Sequence, residues 1–279
     1  MPNLKDKVVI VTGAGSGIGR ATALRFAGEG AKLVLVDRRE DRLVETAGAI
    51  EAAGGEAVVA AADVSRREEV ESAVRGAVER YGRVDVLVNN AGFALGATIE
   101  RTADDDFRDL WETNVLGTLY GMQAVLPLMR ERRSGHIINV SSAAGRIAFP
   151  GIGAYSATKA AVVALTEALR AEIGGTGIEA SVVLPVGTET EFFAAARKVD
   201  GVPVGPHGPV QTAEHVARRI VDCAKQPTAE VLPYRWLRLG SMLHGLFPNL
   251  LTIIGRRTYR RIKHDTGPTA EQPQEVQHG

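Results

Sequence analysis

A tyrosine and a lysine stand four residues apart in the stretch AYSATKAAVVALTEAL, at the start of a segment with helical periodicity. At this spacing Tyr155 and Lys159 lie on one face of a helix, where the ammonium group can act on the phenol. Free tyrosine has a pKa of about 10, and a nearby cation favours the phenolate and lowers that pKa. The pair is therefore predicted to serve general acid–base catalysis.

A serine strengthens this interpretation, because an exposed helical Tyr–Lys pair also arises by chance. Ser142 ends the apolar stretch HIINVSS, 13 residues before Tyr155. A hydroxyl at the end of a strand could hydrogen-bond a substrate oxygen as charge develops on it. The three side chains together indicate a proton-transfer site.

A glycine-rich turn, TGAGSGIGRATALRF, follows the first apolar run and indicates a nucleotide site. Gly13, Gly17 and Gly19 let the backbone approach a ligand, and the helix that follows, with Ser16 and Ile18 at its start, favours a pyrophosphate. The spacing G-x-x-x-G-x-G differs from the G-x-G-x-x-G fingerprint. An ordinary tight turn is the alternative interpretation.

Asp37 ends the second apolar run, 18 residues beyond Gly19. A carboxylate there can accept hydrogen bonds from the hydroxyls of an adenine ribose and would repel a 2′-phosphate. It could instead cap the next helix. Because Arg38 and Arg39 could accommodate a phosphate, NAD is the expected cofactor and NADP stays open.

Apolar runs alternate with helical segments along the chain, which is the βαβ pattern. The runs begin at Lys7, Lys32, Glu56, Val84, His136 and Glu179. Their β-branched residues alternate little with polar ones, so we expect strands buried on both faces of a mostly parallel, doubly wound α/β sheet of the Rossmann type. A short run from Glu230 could add an edge strand.

Ligands bind such sheets at the carboxyl ends of the strands, and two further strand ends carry suitable residues. Asp63 and Val64 end the third run and could flank an adenine ring. Asn90, Ala91 and Gly92 follow the fourth run and could turn the backbone beside the same ligand. Simple turn chemistry would also explain either group.

The ordered segments TGAGSGIG, VLVD, ADV, NNAG, ETNVLGT, NVSS and YSATK closely resemble the short-chain dehydrogenase/reductase family, over about residues 5–235. The resemblance implies an NAD(P)-dependent oxidoreductase that interconverts an alcohol and a carbonyl compound. It implies that Tyr155 is the acid/base, that Lys159 lowers its pKa and holds the nicotinamide ribose, and that Ser142 orients the substrate. Asn114 would help to hold a water of the proton relay.

One segment departs from the family pattern, in which Pro-Gly follows the sixth strand. Here Pro185 is followed by Val186, although Thr188 and Thr190 are still expected beside the nicotinamide. A β-branched residue in place of glycine could change cofactor binding or abolish turnover. A dinucleotide-binding sensor or partner-binding protein is therefore the alternative function.

The substrate is expected to be a small apolar alcohol or carbonyl compound. Residues 189–209 combine a short amphipathic piece with a Gly/Pro-rich loop, as in a lid over an active site. Phe93, Phe149, Phe192 and Phe193 suggest an apolar pocket, although each could simply pack in the core.

The C-terminal part divides into two segments after a catalytic domain at residues 1–235. Residues 236–264 form an amphipathic, basic extension that is too interrupted to span a membrane. Residues 236–263 could contact an anionic membrane or pack over the cleft or a neighbouring subunit. Residues 265–279 are polar and expected to be disordered.

Composition narrows the remaining functions and the compartment. With 33 basic and 33 acidic residues, the chain shows no bias toward nucleic acid. The single Cys223 cannot form an internal disulfide, and no secretory signal is evident, so the cytoplasm is expected. The six histidines are too scattered to indicate a metal site. The family resemblance implies a homodimer or homotetramer built on the helices from Asp104 and Gly153.

Overall fold

A computed structural model describes residues 3–206, 208–247, 255–256 and 259–260 of the chain. Its strands are β1 (Val8–Thr12), β2 (Lys32–Asp37), β3 (Glu56–Ala61), β4 (Val86–Asn89), β5 (Leu95–Gly96), β6 (Gly135–Val140), β7 (Ile178–Val183), β8 (Gly187–Glu189), β9 (Arg197–Lys198), β10 (Val210–Thr212) and β11 (Glu230–Val231). Its α-helices are α1 (Gly17–Ala27), α2 (Glu40–Ala52), α3 (Arg67–Tyr81), α4 (Asp104–Trp111), α5 (Gly117–Arg132), α6 (Gly153–Glu172), α7 (Ala213–Lys225) and α8 (Leu237–Leu246).

Seven parallel strands form the central sheet, in the order β11-β7-β6-β4-β1-β2-β3. Each apolar run predicted from the sequence lies in one of them. The edge strand expected from Glu230 pairs with β7, where Glu230 lies opposite Val182. The predicted α/β class and the parallel sheet are therefore confirmed.

Helices cover both faces of the sheet. Successive strand residues point to opposite faces, so neighbouring residues of one strand pack against different helices. Val9 and Val11 of β1 pack in a cluster with apolar residues of α1, α2 and α7. Ile10, between them, packs on the other face with residues of α3, α5 and α6. These buried faces explain why the strands read as continuous apolar runs.

The strand order reverses between β1 and β4. The chain runs outward through β2 and β3 on one side, and through β6, β7 and β11 on the other. In open parallel sheets a crevice forms at this switch point, outside the carboxyl ends of the strands. The loops after β1 and β4 therefore lie at the position where a ligand would bind.

Two small strand pairs hold the segment predicted to be a lid. β8 pairs with β10, which joins the two ends of residues 189–209 to each other, and β9 in the middle of the segment pairs with β5. Ala196 and Val202 within this segment are buried. The segment is thus more ordered than a Gly/Pro-rich loop suggests. Strands of two or three residues carry no periodicity by which the sequence could have predicted them.

The predicted C-terminal extension includes α8, and its Leu237 packs in an apolar cluster with Ile147 and Leu184. In the part of the chain that the structure describes, no helix is long and apolar enough to cross a membrane. The tail predicted for residues 265–279 lies outside the described residues.

A buried carboxylate, Asp85, connects the amino-terminal ends of strands β1 and β4. Asp85 accepts a hydrogen bond from the Val8 amide at 2.9 Å, and it forms ion pairs with Arg83 at 2.9 Å and Arg132 at 3.0 Å. Lys7 lies at 3.7 Å. Burial alone would raise the pKa of Asp85, but the Val8 amide and the three cations outweigh burial and hold the pKa below its ordinary value.

We predict that Asp85→Asn lowers the free energy of unfolding by about 2 kcal/mol, because it removes the buried charge that accepts hydrogen bonds from the Val8 amide and Arg132 and pairs with three partly exposed cations. Equilibrium urea unfolding at pH 7 measures the change. Because the folded-state pKa of Asp85 is depressed, the carboxylate contributes stability above the unfolded pKa of about 4, and this contribution is lost as pH falls through the folded pKa.

The matched control is Glu71→Gln, which removes an exposed partner of Arg67 and Arg75. It should change stability by less than about 0.5 kcal/mol. Equal effects of the two substitutions would show that Asp85 does not fasten this edge.

Candidate functional site

A single cleft at the switch point gathers almost all of the residues that the sequence predicts as a site. Its volume is about 460 Å³. The predicted residues that line it are Gly13, Ser16, Gly17, Ile18, Asp37, Arg38, Asp63, Val64, Asn90, Ala91, Gly92, Ser142, Tyr155, Lys159, Pro185, Thr188 and Thr190. Segments separated by up to about 180 residues in the chain thus meet at one edge of the sheet.

Gly19 and Asn114 are the two predicted residues that do not line the cleft. Gly19 lies beneath the turn, where a Cβ atom would overlap the Gly13 carbonyl oxygen. Asn114 is buried in a π-helical turn, Glu112–Leu116, between α4 and α5. Its amide group hydrogen-bonds both backbone groups of Phe93 at 3.0 Å and the Thr158 hydroxyl at 3.1 Å, so it joins the loop after β4 to α6.

The glycine turn is fixed to the end of β4 by a side chain that the sequence analysis did not single out. The Thr12 hydroxyl accepts hydrogen bonds from the amides of Asn90 at 2.9 Å and Ala91 at 3.0 Å. In return, the Asn90 side chain donates to the Thr12 carbonyl at 3.0 Å. Gly13 has φ of +66°, and a Cβ there would lie 2.8 Å from Asn90 Nδ2. The turn therefore needs glycine for both its conformation and its close packing.

Asp37 lies at the tip of β2 with its carboxylate turned toward the glycine turn. One oxygen accepts from the Gly15 amide at 3.2 Å, and the other accepts from the Arg39 amide at 3.1 Å and its Nε at 3.3 Å. Since α2 begins at Glu40 and its N-cap residue is Arg39, Asp37 does not cap this helix. The Arg39 guanidinium also donates to the Ser16 hydroxyl at 2.9 Å, which links β2 to the start of α1.

Asp63 forms a turn contact and also lines the cleft. Its carboxylate accepts hydrogen bonds from the amide and hydroxyl of Ser65, at 2.9 and 2.7 Å, as in an Asx turn. The same residue lines the cleft beside Val64. Turn chemistry thus presents Asp63 and Val64 at the edge of the site.

Tyr155 and Lys159 lie in the first turns of α6, and both are buried. The Lys159 ammonium donates to the Val140 carbonyl at the end of β6 at 3.1 Å, and it lies 5.8 Å from the centre of the Tyr155 ring. Gly92 lies next to this ammonium and to Asn114, because a Cβ there would overlap Asn114 Oδ1 at 2.7 Å and would lie 3.4 Å from Lys159 Nζ. A cation and a phenol therefore share one buried corner of the cleft.

The electrostatics of this corner differ from the sequence-based expectation. Burial raises the pKa of Tyr155 to about 12, although an interaction with the Ser142 hydroxyl opposes this effect. Burial lowers the pKa of Lys159 to about 8. The prediction that Lys159 brings the Tyr155 pKa below its ordinary value is wrong for this pocket, because desolvation of the phenolate dominates. Tyr155 is a neutral phenol at pH 7.

The two serines after β6 have different environments. The Ser141 hydroxyl is buried and donates to the Lys159 carbonyl at 2.7 Å, so it supports α6. The Ser142 hydroxyl accepts from the Ala144 amide at 3.1 Å and lines the cleft near Tyr155. Both serines line the cleft, but the Ser141 hydroxyl already donates its hydrogen to the backbone of α6, whereas the Ser142 hydroxyl has its hydrogen available for a bound molecule.

The backbone at Val186 accommodates a branched side chain without strain. Among the described residues, Asp6, Arg133 and Asp200 are the non-glycine positions with positive φ, so Val186 does not need a glycine conformation. Its carbonyl accepts from the Thr188 hydroxyl at 2.9 Å, and its side chain packs beside Leu237. The departure from Pro-Gly therefore changes the cleft wall rather than the path of the chain.

One end of the cleft is apolar and aromatic. All four phenylalanines expected there, Phe93, Phe149, Phe192 and Phe193, line the cleft. The Phe192 ring lies 5.9 Å from the Tyr155 ring and 5.6 Å from the Phe193 ring. Further lining residues that the sequence analysis did not predict are Ile147, Ile152, Tyr234, Trp236 and Leu237. They carry no local motif, since the fold brings them from distant segments.

The sequence also did not predict two polar residues, a threonine and an asparagine, that support the site through hydrogen bonds. Thr12 fixes the glycine turn, and Asn139 connects Asn89 with Thr166 through buried hydrogen bonds of 2.9 Å. Isolated Thr and Asn residues inside apolar runs carry a weak signal: a polar side chain in a buried strand needs a partner. That signal predicts a hydrogen bond without identifying its partner.

Comparisons with known proteins agree on one family. The family model described as short chain dehydrogenase matches residues 7–200. An uncharacterized oxidoreductase of Staphylococcus saprophyticus is 43% identical over 195 residues, which cover 69% of this chain and 78% of that protein. Another, from Listeria innocua, is 44% identical over 192 residues, which cover 68% of this chain and 77% of the relative.

Solved structures share the architecture. A short chain dehydrogenase/reductase from Burkholderia phymatum, in complex with NAD, superposes with a TM-score of 0.82 at 29% identity, covering 90% of this chain and 97% of that chain. A 3-ketoacyl-(acyl-carrier-protein) reductase from Brucella melitensis, complexed with NADH, gives a TM-score of 0.74 at 31% identity, covering 82% and 97%. The chain belongs to the short-chain dehydrogenase family and is an oxidoreductase of that family.

Proposed function

We propose that this protein uses NAD to interconvert an apolar secondary alcohol and the corresponding carbonyl compound. The observation that carries the proposal is the arrangement of Ser142, Tyr155 and Lys159 at the apolar end of a cleft whose other end holds the glycine turn and Asp37. The residues proposed for proton transfer and those proposed for dinucleotide binding thus line one continuous cleft.

The residues of the cleft suit a dinucleotide. The glycine turn opens α1, whose amino-terminal N–H groups would hold the pyrophosphate. Asp37 would accept hydrogen bonds from the adenine ribose and Asp63 and Val64 would flank the adenine, while Lys159 would hold the nicotinamide ribose. Both of the solved relatives described above are complexed with NAD or NADH. When bound, the nicotinamide supplies or accepts the hydride.

The proton moves through Tyr155. Because burial keeps the phenol neutral, with a pKa of about 12, it would donate its proton to the carbonyl oxygen as that oxygen gains charge. The Ser142 hydroxyl would hydrogen-bond the same oxygen, and the Lys159 ammonium would stabilise the phenolate that remains. Alcohol oxidation reverses each of these transfers. Asn114 positions this corner through Phe93 and Thr158 and would contribute to the relay that returns the proton.

The substrate end of the cleft favours an uncharged, apolar molecule. Phe93, Phe149 and Phe192 pack against the apolar cluster that contains Tyr155, and Phe193 packs against Phe192. Arg197 lies over the Phe93 ring and pairs with Asp106 and Asp109. The basic residues that line the cleft are Lys159, which the proposal assigns to the nicotinamide ribose, and Arg38 and Arg39 after β2, so no lining cation is assigned to a carboxylate or phosphate of the substrate.

The alternative, a sensor that binds the dinucleotide without turnover, is less well supported. A sensor needs no buried acid/base, whereas this cleft holds a desolvated Tyr–Lys pair whose ammonium is directed by the Val140 carbonyl. Family membership also supports assembly into a homodimer or homotetramer through α4, α5 and α6, which light scattering on the purified protein would test.

We predict that Tyr155→Phe lowers kcat for reduction of an apolar ketone by roughly 10²–10⁴-fold, because it removes the proton donor. Oxidation of NADH followed by absorbance measures the rate. NADH affinity, measured by fluorescence titration, should stay within about threefold. Tyr120→Phe, on α5 and outside the cleft, serves as control. Full turnover by the Tyr155 variant would contradict the assignment, and cofactor binding without turnover by the native protein would favour the sensor.

We also predict that kcat/KM for carbonyl reduction is constant below about pH 7 and falls as pH rises through about 8, where Lys159 loses its proton. In Lys159→Arg this fall should move to higher pH, because a guanidinium stays charged throughout the range. Identical profiles for the two proteins would show that the charge of Lys159 does not support proton transfer.

We expect Asp37→Ser to lower the preference for NAD over NADP by at least about tenfold, since it removes a charged hydrogen-bond acceptor and a repulsive charge. The ratio of kcat/KM values for the two cofactors measures this preference. Asp41→Ser, at an exposed position of α2, should leave the ratio unchanged. An unaltered ratio in the Asp37 variant would assign cofactor choice to other residues.

A further inference from the structure

We propose that α8 docks this protein on an anionic membrane surface, beside the mouth of the cleft. The proposed contact is the α8 surface, which consists of the exposed side chains Trp236, Leu239, Met242, Leu243, Leu246 and Phe247. The basic residues before, within and after α8 would contact the lipid headgroups.

α8 buries small and polar residues and exposes large apolar ones, which is the opposite of a helix that covers a hydrophobic core. Its partly or fully buried positions are Leu237, Gly240, Ser241 and His244, which recur at intervals of three and four residues. These are mostly small or polar residues, and the Ser241 hydroxyl donates back to the Leu237 carbonyl at 2.9 Å. The large apolar side chains point to solvent. Packing over the cleft therefore accounts for Leu237 and leaves the α8 surface uncovered.

The exposure of these side chains is unusual for a water-facing helix. Trp236 and Leu246 are each 70% exposed, Met242 is 60% exposed and Phe247 is 58% exposed. Large exposed apolar side chains elsewhere in the described chain, such as Val44 and Ile99, stand far apart in the sequence. A contiguous apolar patch of this kind marks a surface for a partner or a membrane.

The positive charge of the segment around α8 indicates that its partner is negatively charged. Although the whole chain is neutral, residues 231–264 contain no Asp or Glu and carry Arg235, Arg238, Arg256, Arg257, Arg260, Arg261 and Lys263. Among the described residues, neither Arg235 nor Arg238 takes part in an ion pair. A surface that complements this segment must be apolar and negatively charged.

An anionic bilayer fits both requirements better than a second copy of the chain. In a twofold interface the same patch meets itself, so the cations around one α8 would face those around the other. A helix with apolar residues on one face and arginines at its borders lies in the plane of a membrane, with tryptophan at the level of the headgroups. Since no described helix spans a bilayer, the contact is peripheral.

α8 lies beside the opening of the cleft, so membrane contact there would affect how a substrate enters. Trp236 and Leu237 line the cleft, so the docked face adjoins the apolar end where the substrate is proposed to bind. A lipid-dissolved alcohol or ketone could then pass from the bilayer into the cleft without crossing water. This last step rests on the proposed function, whereas the docking itself does not.

Co-sedimentation of the full chain with vesicles tests the docking without any need for turnover. Vesicles of phosphatidylcholine with 30% phosphatidylserine, a probe composition of about physiological surface charge, are compared with phosphatidylcholine alone at low and high salt. The variant is Met242→Ser with Leu246→Ser. The matched control is Val44→Ser with Ile99→Ser, which removes exposed apolar side chains on other faces. Circular dichroism, NADH binding and light scattering check the fold and the oligomeric state.

The proposal expects binding to the anionic vesicles that falls at least roughly tenfold with high salt, with neutral lipid or with the α8 variant, while the control binds normally. Absence of binding, or equal binding by the α8 variant, would overturn it. A smaller oligomer of the α8 variant would also overturn it, because the α8 surface would then be a subunit interface. Loss of turnover in water with vesicle binding intact would instead count against the proposed reaction alone.

Discussion

Burial of the Lys159 ammonium is the constraint on which the site depends. A charged group in this position depends on several elements at once: α6 carries it, β6 supplies the Val140 carbonyl, and the loop after β4 comes close to it at Gly92. The π-helical turn between α4 and α5 brings Asn114 against the same loop. Irregular helical turns of this kind are often found at functional sites. The chain thus orders four separate segments around one cation.

The parallel sheet brings these segments together at the carboxyl ends of its strands. The ion pairs of Asp85 lie at the amino-terminal ends of the strands, away from the cleft. Carboxyl ends of β1, β2, β4 and β6 meet at the cleft, whereas the Asp85 cluster fastens the opposite edge. Most ion pairs among the described residues join partly or fully exposed side chains, whereas Asp85 is a fully buried acid that pairs with three cations. Substitutions in the cleft and at this edge should therefore act on different properties of the protein, the reaction and the stability.

The sequence predicts the sheet and the cofactor side of the cleft better than the substrate side. Buried strands leave continuous apolar runs, and Gly13, Asp37, Tyr155 and Lys159 follow them at fixed intervals, so local patterns suffice. The supporting hydrogen bonds of Thr12, Asn139 and Arg39 join residues that are far apart in the chain. No sequence spacing predicts these hydrogen bonds. The Tyr155 pKa was predicted in the wrong direction, because sequence shows the neighbouring cation and hides the degree of burial.

The fate of the hydride tests the central claim most directly. NADH carrying deuterium at both C4 positions of the nicotinamide would be incubated with the protein and an apolar ketone, and the product would be examined by mass spectrometry and NMR. The account predicts one deuterium on the carbinol carbon of a secondary alcohol, while the hydroxyl proton comes from solvent through Tyr155. Oxidation of NADH without a labelled alcohol, across a panel of apolar ketones that the cleft can hold, would contradict it.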